Sequence, residues 1–201
     1  DCILYAVFII FLDKTANSRT AEAIIAMLIV IHLLSIIMQR NWFHKMMVLF
    51  TSGAFLLCVG IPFIGSYLYI HKPELFLQHD GTMLSRIQLT TTFYLRNGGF
   101  GFYGFPIEDQ DCLDMMFSYI GLHWGTAAFI IISAAIIYAI YKASREQHTS
   151  FLILLFFFLV YGWAEVAPIY PVYSYLSLLL GYYIMNRKPF YCKRPYTCAN
   201  F

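Results

Sequence analysis

One carboxylate, that of Glu165, lies in the stretch from 151 to 185, which carries no other charge. A charged side chain in the hydrocarbon core of a bilayer is costly, and the few that occur there are mostly functional. Pro168 and Pro171 follow closely, and a proline in a helix interior breaks the helix. The sequence therefore predicts two short helices that meet at a membrane interface, with Glu165 at the break. There its carboxylate could accept a proton, or it could pair with an arginine as a structural element.

Five more polar residues are predicted on the same side of the membrane. They are Arg19, Arg86, Arg96, Asp114 and His123. An arginine guanidinium presents a planar fork to phosphate oxygens, and a carboxylate or an imidazole can take the proton of a hydroxyl group. With aromatic rings beside them, these side chains have the chemistry needed to bind a phosphorylated sugar. Each also has a structural alternative: interfacial anchors for the arginines, a helix N-cap for Asp114 and a hydrogen-bonded interior residue for His123.

Composition places these residues in a membrane protein. The chain is 60% apolar and 12% charged, against about 45–50% and about 25% in an average soluble domain. Its apolar windows predict helices at 21–38, 46–70, 117–141, 150–164 and 171–185. A further apolar run, 2–12, is shorter than the roughly 20 residues that a spanning helix needs. We therefore expect an all-α polytopic membrane protein with about five to six transmembrane helices, and we expect this chain to be a fragment that lacks the first helices.

The basic residues predict the orientation of these helices. Lys and Arg in the turns 39–45 and 142–149 and in the tail 187–201 fall on one side of the alternating series, and the positive-inside rule assigns that side to the cytoplasm. The turn 13–20, the long loop 71–116 and the break at Glu165 then face outward. We therefore expect a multi-pass membrane protein whose candidate site residues face the extracytoplasmic side.

The loop 71–116 has an organisation of its own. Apolar residues and threonines recur at helical spacing in 83–95, with Arg86 on an adjoining face, which predicts an amphipathic helix along the interface. The segment 97–105 holds four glycines among aromatic residues, which is typical of a tight irregular turn. Its spacing fits neither nucleotide-binding glycine motif. The loop has six acidic and three basic residues, so we expect no nucleic-acid partner.

No metal site or cofactor is predicted. The five cysteines include no CxxC pair, and the histidines show no paired spacing that would suit a metal ion.

Five short motifs follow one another in an order that resembles a known family. They are SRT at 18–20, LSR at 84–86, FYG at 102–104, LDMMFSYIGLHWG at 113–125 and YGWAE at 161–165. The chain from about 5 to 186 resembles the C-terminal half of bacterial surface-polysaccharide repeat-unit polymerases, the Wzy-type enzymes of the O-antigen polymerase and ligase superfamily. The family pattern usually has Asn after the aspartate of the fourth motif, where this chain has Met115, and Tyr where it has Phe117.

The resemblance implies a glycosyltransferase that needs no metal or nucleotide sugar. It would transfer a growing glycan from undecaprenyl pyrophosphate to a new lipid-linked repeat unit, with inversion, at the outer leaflet. Arg19, Arg86 and Arg96 would bind the pyrophosphate or glycan, and Glu165, Asp114 or His123 would activate the acceptor hydroxyl. The partners implied are the lipid-linked oligosaccharide, the membrane, and the flippase and chain-length regulator of the same pathway. We expect the isolated 201-residue chain to be inactive.

Three other functions are compatible with the sequence. An O-antigen ligase would use similar chemistry with a different acceptor and is expected to rely on an extracytoplasmic histidine, whereas His123 is predicted inside a span. A transporter or flippase of polar or lipid-linked substrates would show charges near mid-membrane and repeated broken helices, but His32 is the only ionisable side chain predicted deep in a span. A non-catalytic assembly subunit would tolerate the loss of every outer arginine.

Overall fold

The computed structural model of the protein describes residues 19–77, 82–107, 113, 115–164, 180, 181 and 183–185. These residues are mostly helical, and no β-strand occurs among them. The helices are α1 (Arg19–Ile37), α2 (Arg40–His71), α3 (Glu74–Leu77), α4 (Thr82–Arg96), α5 (Met116–Tyr119) with a π-helical turn (Ile120–Trp124), α6 (Thr126–Arg145) and α7 (Thr149–Ala164). The prediction of an all-α protein is confirmed for this part of the chain.

Two helices, α2 and α6, are long and apolar enough to cross a membrane. Only 33% and 22% of the residues in their most apolar windows are buried in the protein. Large apolar side chains therefore point outward, among them Leu49, Leu56, Ile130 and Ile131. An exposed apolar surface of this extent indicates contact with lipid, because soluble proteins rarely expose it. In the described residues two helices reach this length, and the total of five to six spans stays a prediction.

The core lies mainly between α2 and α7, which run in the same direction. The hydroxyl of Thr51 shares its hydrogen between the carbonyls of Met47 (2.7 Å) and Leu152 (3.1 Å). Two turns further along, the thiol of Cys58 donates to the carbonyl of Leu159 (2.9 Å). Both bonds between the helices join residues 101 positions apart, so the register is constant and the helices are parallel. Such bonds keep these polar groups satisfied inside an apolar interface.

The predicted cytoplasmic turns meet at one end of this bundle. The buried ring of His44 accepts from the Thr149 hydroxyl at Nδ1 (2.9 Å) and donates from Nε2 to the Ser144 carbonyl (3.2 Å). These bonds join the first residues of α2 and α7 to the last turn of α6. The basic residues of the two turns, Arg40, Lys45, Lys142 and Arg145, therefore lie at the same end.

The opposite end of α2 carries α4. A Cβ added at Gly65 would lie 2.8 Å from Cδ1 of Ile87, so the absence of a side chain allows the two helices to approach closely. The Thr91 hydroxyl lies 2.9 Å from that of Ser66 and also bonds the Ile87 carbonyl. Gly65 is about 37 Å from Arg40 along the helix axis, which exceeds the roughly 30 Å of a hydrocarbon core. The predicted amphipathic helix exists and packs beside this far part of α2.

Two predicted helix boundaries are wrong. The segment 39–45 is not a turn, because α2 begins at Arg40 and only 38–39 separates it from α1. The span predicted over 117–141 is broken at Gly125, whose φ of 92° and ψ of 171° end the π-helical turn before α6 begins. An apolar window averages over such a break, since the residues on both sides of it are apolar. The predicted helix 171–185 lies mostly outside the described residues, as does the run 2–12.

Candidate functional site

The break at Gly125 is held by the glycine-rich loop, whose tight turn the sequence predicted. The backbone N–H of Thr126 donates to the Gly101 carbonyl (3.0 Å), so the loop caps the first turn of α6. Gly104, with φ 76°, lies so close that a Cβ on it would collide with the carbonyl of His123. The backbones of Gly104 and Gly125 are in direct contact, so neither position has room for a side chain. The loop and the helix break therefore form one structural unit.

His123 lies in the π-helical turn of this unit, close to α6 but not inside it. Its Nδ1 is 2.8 Å from the carbonyl of Phe105. Because a carbonyl only accepts, Nδ1 carries the hydrogen, and the lone pair of the neutral ring is at Nε2. The ring of Tyr119 contacts the imidazole edge-on, with the centroids 4.8 Å apart. This arrangement fixes the ring and makes Nε2 the atom that could accept a proton.

Arg96 belongs to the same small assembly as His123. It ends α4, is exposed, and its guanidinium lies 5.2 Å from the centre of the Phe93 ring. Phe93 is buried in a small apolar cluster with Leu122, the residue before His123. Both predicted site residues thus contact members of one apolar cluster, Arg96 through Phe93 and His123 through Phe105.

Arg86 does not lie next to Arg96. The two arginines are about 15 Å apart along α4 and about 80° apart around its axis. The side chain of Arg86 is half-buried beside Ile87, which packs on α2. The prediction that these arginines bind the pyrophosphate or the glycan therefore requires that the two contact different parts of one extended substrate, about 15 Å apart along α4.

Of the remaining predicted site residues, the structure describes only Arg19. Arg19 begins α1, at the end of the bundle opposite to Arg40. Asp114 and Glu165 lie outside the described residues, although residues close to them in sequence do contact each other. A Cβ added at Gly162 would lie 2.8 Å from Sδ of Met116. The last turn of described α7 thus packs against the first residue of α5.

A pocket that the sequence analysis missed opens between α2, α4, α5 and the loop. Its volume is about 180 Å³. It is lined by Pro62, Phe63, Ser66, Tyr67, Ile70, Thr90, Tyr94, Phe100, Ser118 and Leu122. The hydroxyls of Thr90 and Ser118 are buried and have no hydrogen-bond partner among the described residues. No spacing in the sequence signals this pocket, because its residues come from separate segments and none of them is charged.

Aromatic rings connect this pocket to the core. Phe63 contacts Phe100, which also lines the pocket (5.3 Å between centroids), and Phe129, which does not line it (5.6 Å). Phe129 contacts Phe117, which is buried in the core (6.0 Å). The pocket wall is therefore part of a rigid, continuous aromatic packing.

A second polar cluster lies at the basic end of the bundle. The Nδ1 of the buried His148 is 2.8 Å from the Tyr183 hydroxyl, and Lys142 donates to the Tyr183 carbonyl (2.8 Å). The Tyr183 ring stacks on Phe151, with centroids 3.7 Å apart. These contacts hold residues 183–185 against α6 and α7, so the role of these bonds is to dock that short segment.

Comparison with known proteins identifies no relative: no family model, no curated protein and no solved structure matches the chain. Within the described residues, no three His, Cys, Asp or Glu side chains come close enough together to hold a metal ion.

Proposed function

We propose that this protein is a membrane glycosyltransferase that polymerises lipid-linked oligosaccharide repeat units at the outer leaflet of a bacterial cytoplasmic membrane. One observation carries the proposal: Arg96 and His123, predicted as phosphate-binding and catalytic residues, lie around the same apolar cluster. A guanidinium suits the pyrophosphate of the leaving lipid, and an imidazole suits proton transfer from an acceptor hydroxyl near neutral pH.

The position of these residues in the bundle supports the proposal. They belong to the end of the bundle opposite Arg40, Lys45, Lys142 and Arg145. The positive-inside rule would make that end cytoplasmic and the Arg96 end extracytoplasmic. A substrate anchored by its lipid in the outer leaflet would reach residues at this level.

The proposed reaction needs a base and a cation. The acceptor hydroxyl attacks the anomeric carbon of the growing glycan from the face opposite the pyrophosphate, and the C–O bond to pyrophosphate breaks with both electrons going to the phosphate oxygen. Nε2 of His123, or the carboxylate of Glu165 or Asp114, takes the hydroxyl proton. Arg96 would offset the negative charge of the lipid pyrophosphate as it leaves, and Arg86, about 15 Å away along α4, would contact a more distant part of the glycan.

The function is tested by the length distribution of lipid-linked glycan in cells in which the gene that encodes this chain supplies the only repeat-unit polymerase. Arg96→Ala, Arg86→Ala, His123→Gln and Glu165→Gln are compared at equal membrane abundance. Arg145→Ala is the matched control, because Arg145 is also exposed in the last turn of a helix and lies 5.8 Å from the centre of an aromatic ring, but at the basic end. Collapse to single repeat units in the first four variants, with a normal ladder in the control, is expected. Normal ladders throughout would refute the proposal and favour a transport or non-catalytic role.

A ligase is the second candidate, and the position of His123 favours it more than the sequence did. This histidine is not inside a spanning helix; it lies in the turn that the loop contacts directly. The same measurement of glycan length distinguishes the two functions. Loss of a ligase leaves long glycan on the lipid carrier, whereas loss of a polymerase leaves single repeat units.

A further inference from the structure

A second pocket opens at the basic end of the bundle, between the end of α1 and the first turns of α2 and α7. Its volume is about 700 Å³, within the range of about 300–1,000 Å³ that ligand sites occupy. Arg40, Gln147 and Ser150 line it and are exposed, and Met38 and Leu154 belong to its apolar wall. The polar part of the lining is therefore open to an incoming ligand.

The lining changes from polar to apolar with depth along α7. Residues 147–150 are polar, and Phe151 and Leu154 follow one turn deeper. The polar layer is about 5 Å thick at 1.5 Å per residue, which matches the roughly 5–7 Å that headgroups occupy on each side of a bilayer. Leu154 is also 44% exposed, so the apolar wall continues onto the lipid-facing surface. Trp42, 67% exposed beside Arg40, is typical of a membrane–water interface at this level.

The charge around the pocket favours an anion. The segments 38–45 and 142–150 carry four basic residues and one acidic residue, Glu146. The carboxylate of Glu146 lies 3.4 Å from Nδ1 of His148. Arg40 is the arginine of the lining itself, and a guanidinium has five N–H donors, enough for a bidentate pair with a phosphate in addition to other contacts. Basic pockets between membrane helices on the cytoplasmic side are known to bind anionic lipid headgroups.

Gln147 is held in a backbone conformation that favours glycine. Its φ is 55°, and it is the one non-glycine residue with a positive φ in the described part of the chain. The backbone N–H of His148 bonds the Ala143 carbonyl (3.0 Å) and closes the last turn of α6 around it. Glycine is the usual residue at this position of a helix end. A strained residue whose exposed side chain lines a pocket is a candidate for a functional role.

We propose that this pocket binds one anionic phospholipid of the membrane leaflet at the basic end. Its phosphate pairs with Arg40, the polar part of its headgroup bonds Gln147 and Ser150, and its acyl chains leave the pocket past Met38 and Leu154. The site lies at the end of the bundle opposite Arg96 and does not rest on the proposed transferase function.

The lipid would join α1 to the rest of the bundle. Among the side chains of α1 that the structure describes, only that of Ile31 is buried. A phospholipid between the end of α1 and the start of α7 adds contacts to both helices. We therefore expect it to raise the unfolding midpoint, since a ligand that binds only the folded state stabilises it.

The test measures lipid binding to the delipidated full chain in a neutral detergent by native mass spectrometry. The probes are dioleoyl phosphatidylglycerol and dioleoyl phosphatidylcholine, which have the same acyl chains and differ in headgroup charge. One phosphatidylglycerol is expected to bind about tenfold or more tightly than phosphatidylcholine. Glycerol 3-phosphate is added as a soluble anion, and it is expected not to displace the lipid.

Three pocket variants and one control locate the binding. Arg40→Gln removes the charge, and Ser150→Glu places a like charge beside the phosphate; each should weaken phosphatidylglycerol binding about tenfold. Gln147→Gly should weaken it about threefold. Arg145→Gln is the matched control, because Arg145 is an exposed arginine at the same end that contacts Tyr141 and is not part of the lining. It should change the affinity by at most about threefold.

Two of these variants separate binding from damage to the fold. Glutamate in the first turn of α7 interacts favourably with the helix dipole, so Ser150→Glu is expected not to lower the unfolding midpoint of the lipid-free protein. Gln147→Gly relieves the strain at a positive φ and is expected to raise that midpoint. Both are nevertheless expected to bind less phosphatidylglycerol.

Several results would overturn the inference. Equal binding of the two lipids would indicate unspecific contact, and displacement by glycerol 3-phosphate would indicate a site for a free anion. Equal losses in Arg40→Gln and Arg145→Gln would indicate general attraction to a charged surface, and unchanged affinity in all three pocket variants would place the lipid elsewhere. None of these results depends on glycan transfer, so this test and the glycan ladder can fail independently.

Discussion

Replacing Gly125 by alanine is expected to destabilise the protein by about 3 kcal/mol or more. Its φ of 92° and ψ of 171° lie in a backbone region occupied almost only by glycine, and other residues there cost about 1–3 kcal/mol. A Cβ at 125 would also collide with the backbone of Gly104 and Phe102. The loop would have to move away from Thr126, and each backbone hydrogen bond lost costs a further amount of about 0.5–1.5 kcal/mol.

Two other glycines separate these contributions. Gly98 also has a positive φ, 70°, but an added Cβ would meet nothing within 4 Å. Gly98→Ala therefore carries only the backbone cost, about 1–2 kcal/mol. Gly53 lies inside α2, again with nothing within 4 Å, and alanine there is expected to stabilise the helix by up to about 1 kcal/mol. The three substitutions add the same methyl group, and their predicted effects differ in size and sign.

The measurement is denaturant unfolding of the three purified variants in one detergent, followed by circular dichroism. The expected order of stability is Gly53→Ala, then Gly98→Ala, then Gly125→Ala. A ¹⁵N spectrum of labelled histidine gives a second readout, since displacement of the loop removes the bond from His123 to the Phe105 carbonyl. If Gly125→Ala were no less stable than Gly98→Ala, the close contact between loop and break would be wrong.

Three further predictions concern the packing of the bundle. Gly65→Ala should destabilise by about 1–3 kcal/mol because its Cβ would lie 2.8 Å from Ile87, and Ile87→Val in the same chain should restore part of the loss in a denaturant titration. Thr51→Val should lower stability by about 1 kcal/mol, since it removes the bond from α2 to α7; an unchanged midpoint would contradict that bond. Tyr183→Phe should keep its ring stack but lose the bond to His148, so protease cleavage after 185 should become faster, and equal rates would argue against the docking role.

The helical class and the amphipathic helix were predictable because they depend on local patterns. The apolar runs of α2 and α6 and the helical spacing in 83–95 are properties of short stretches, and the structure confirms a helix at each. The glycine-rich turn was predictable for the same reason, since glycine adopts positive φ angles such as those at Gly98 and Gly104 without steric cost. The charges of the two basic turns likewise indicated that they share one end.

The sequence by itself determined the helical class, the glycine-rich turn at 97–105 and which polar residues were available for chemistry. Tertiary structure alone decided that α2 and α7 are parallel, that the loop breaks the helix at Gly125, and that Thr90 and Ser118 meet in one pocket. The physical reason is that local patterns act over a few residues. These contacts join groups far apart in the chain, and their geometry depends on the simultaneous packing of several helices.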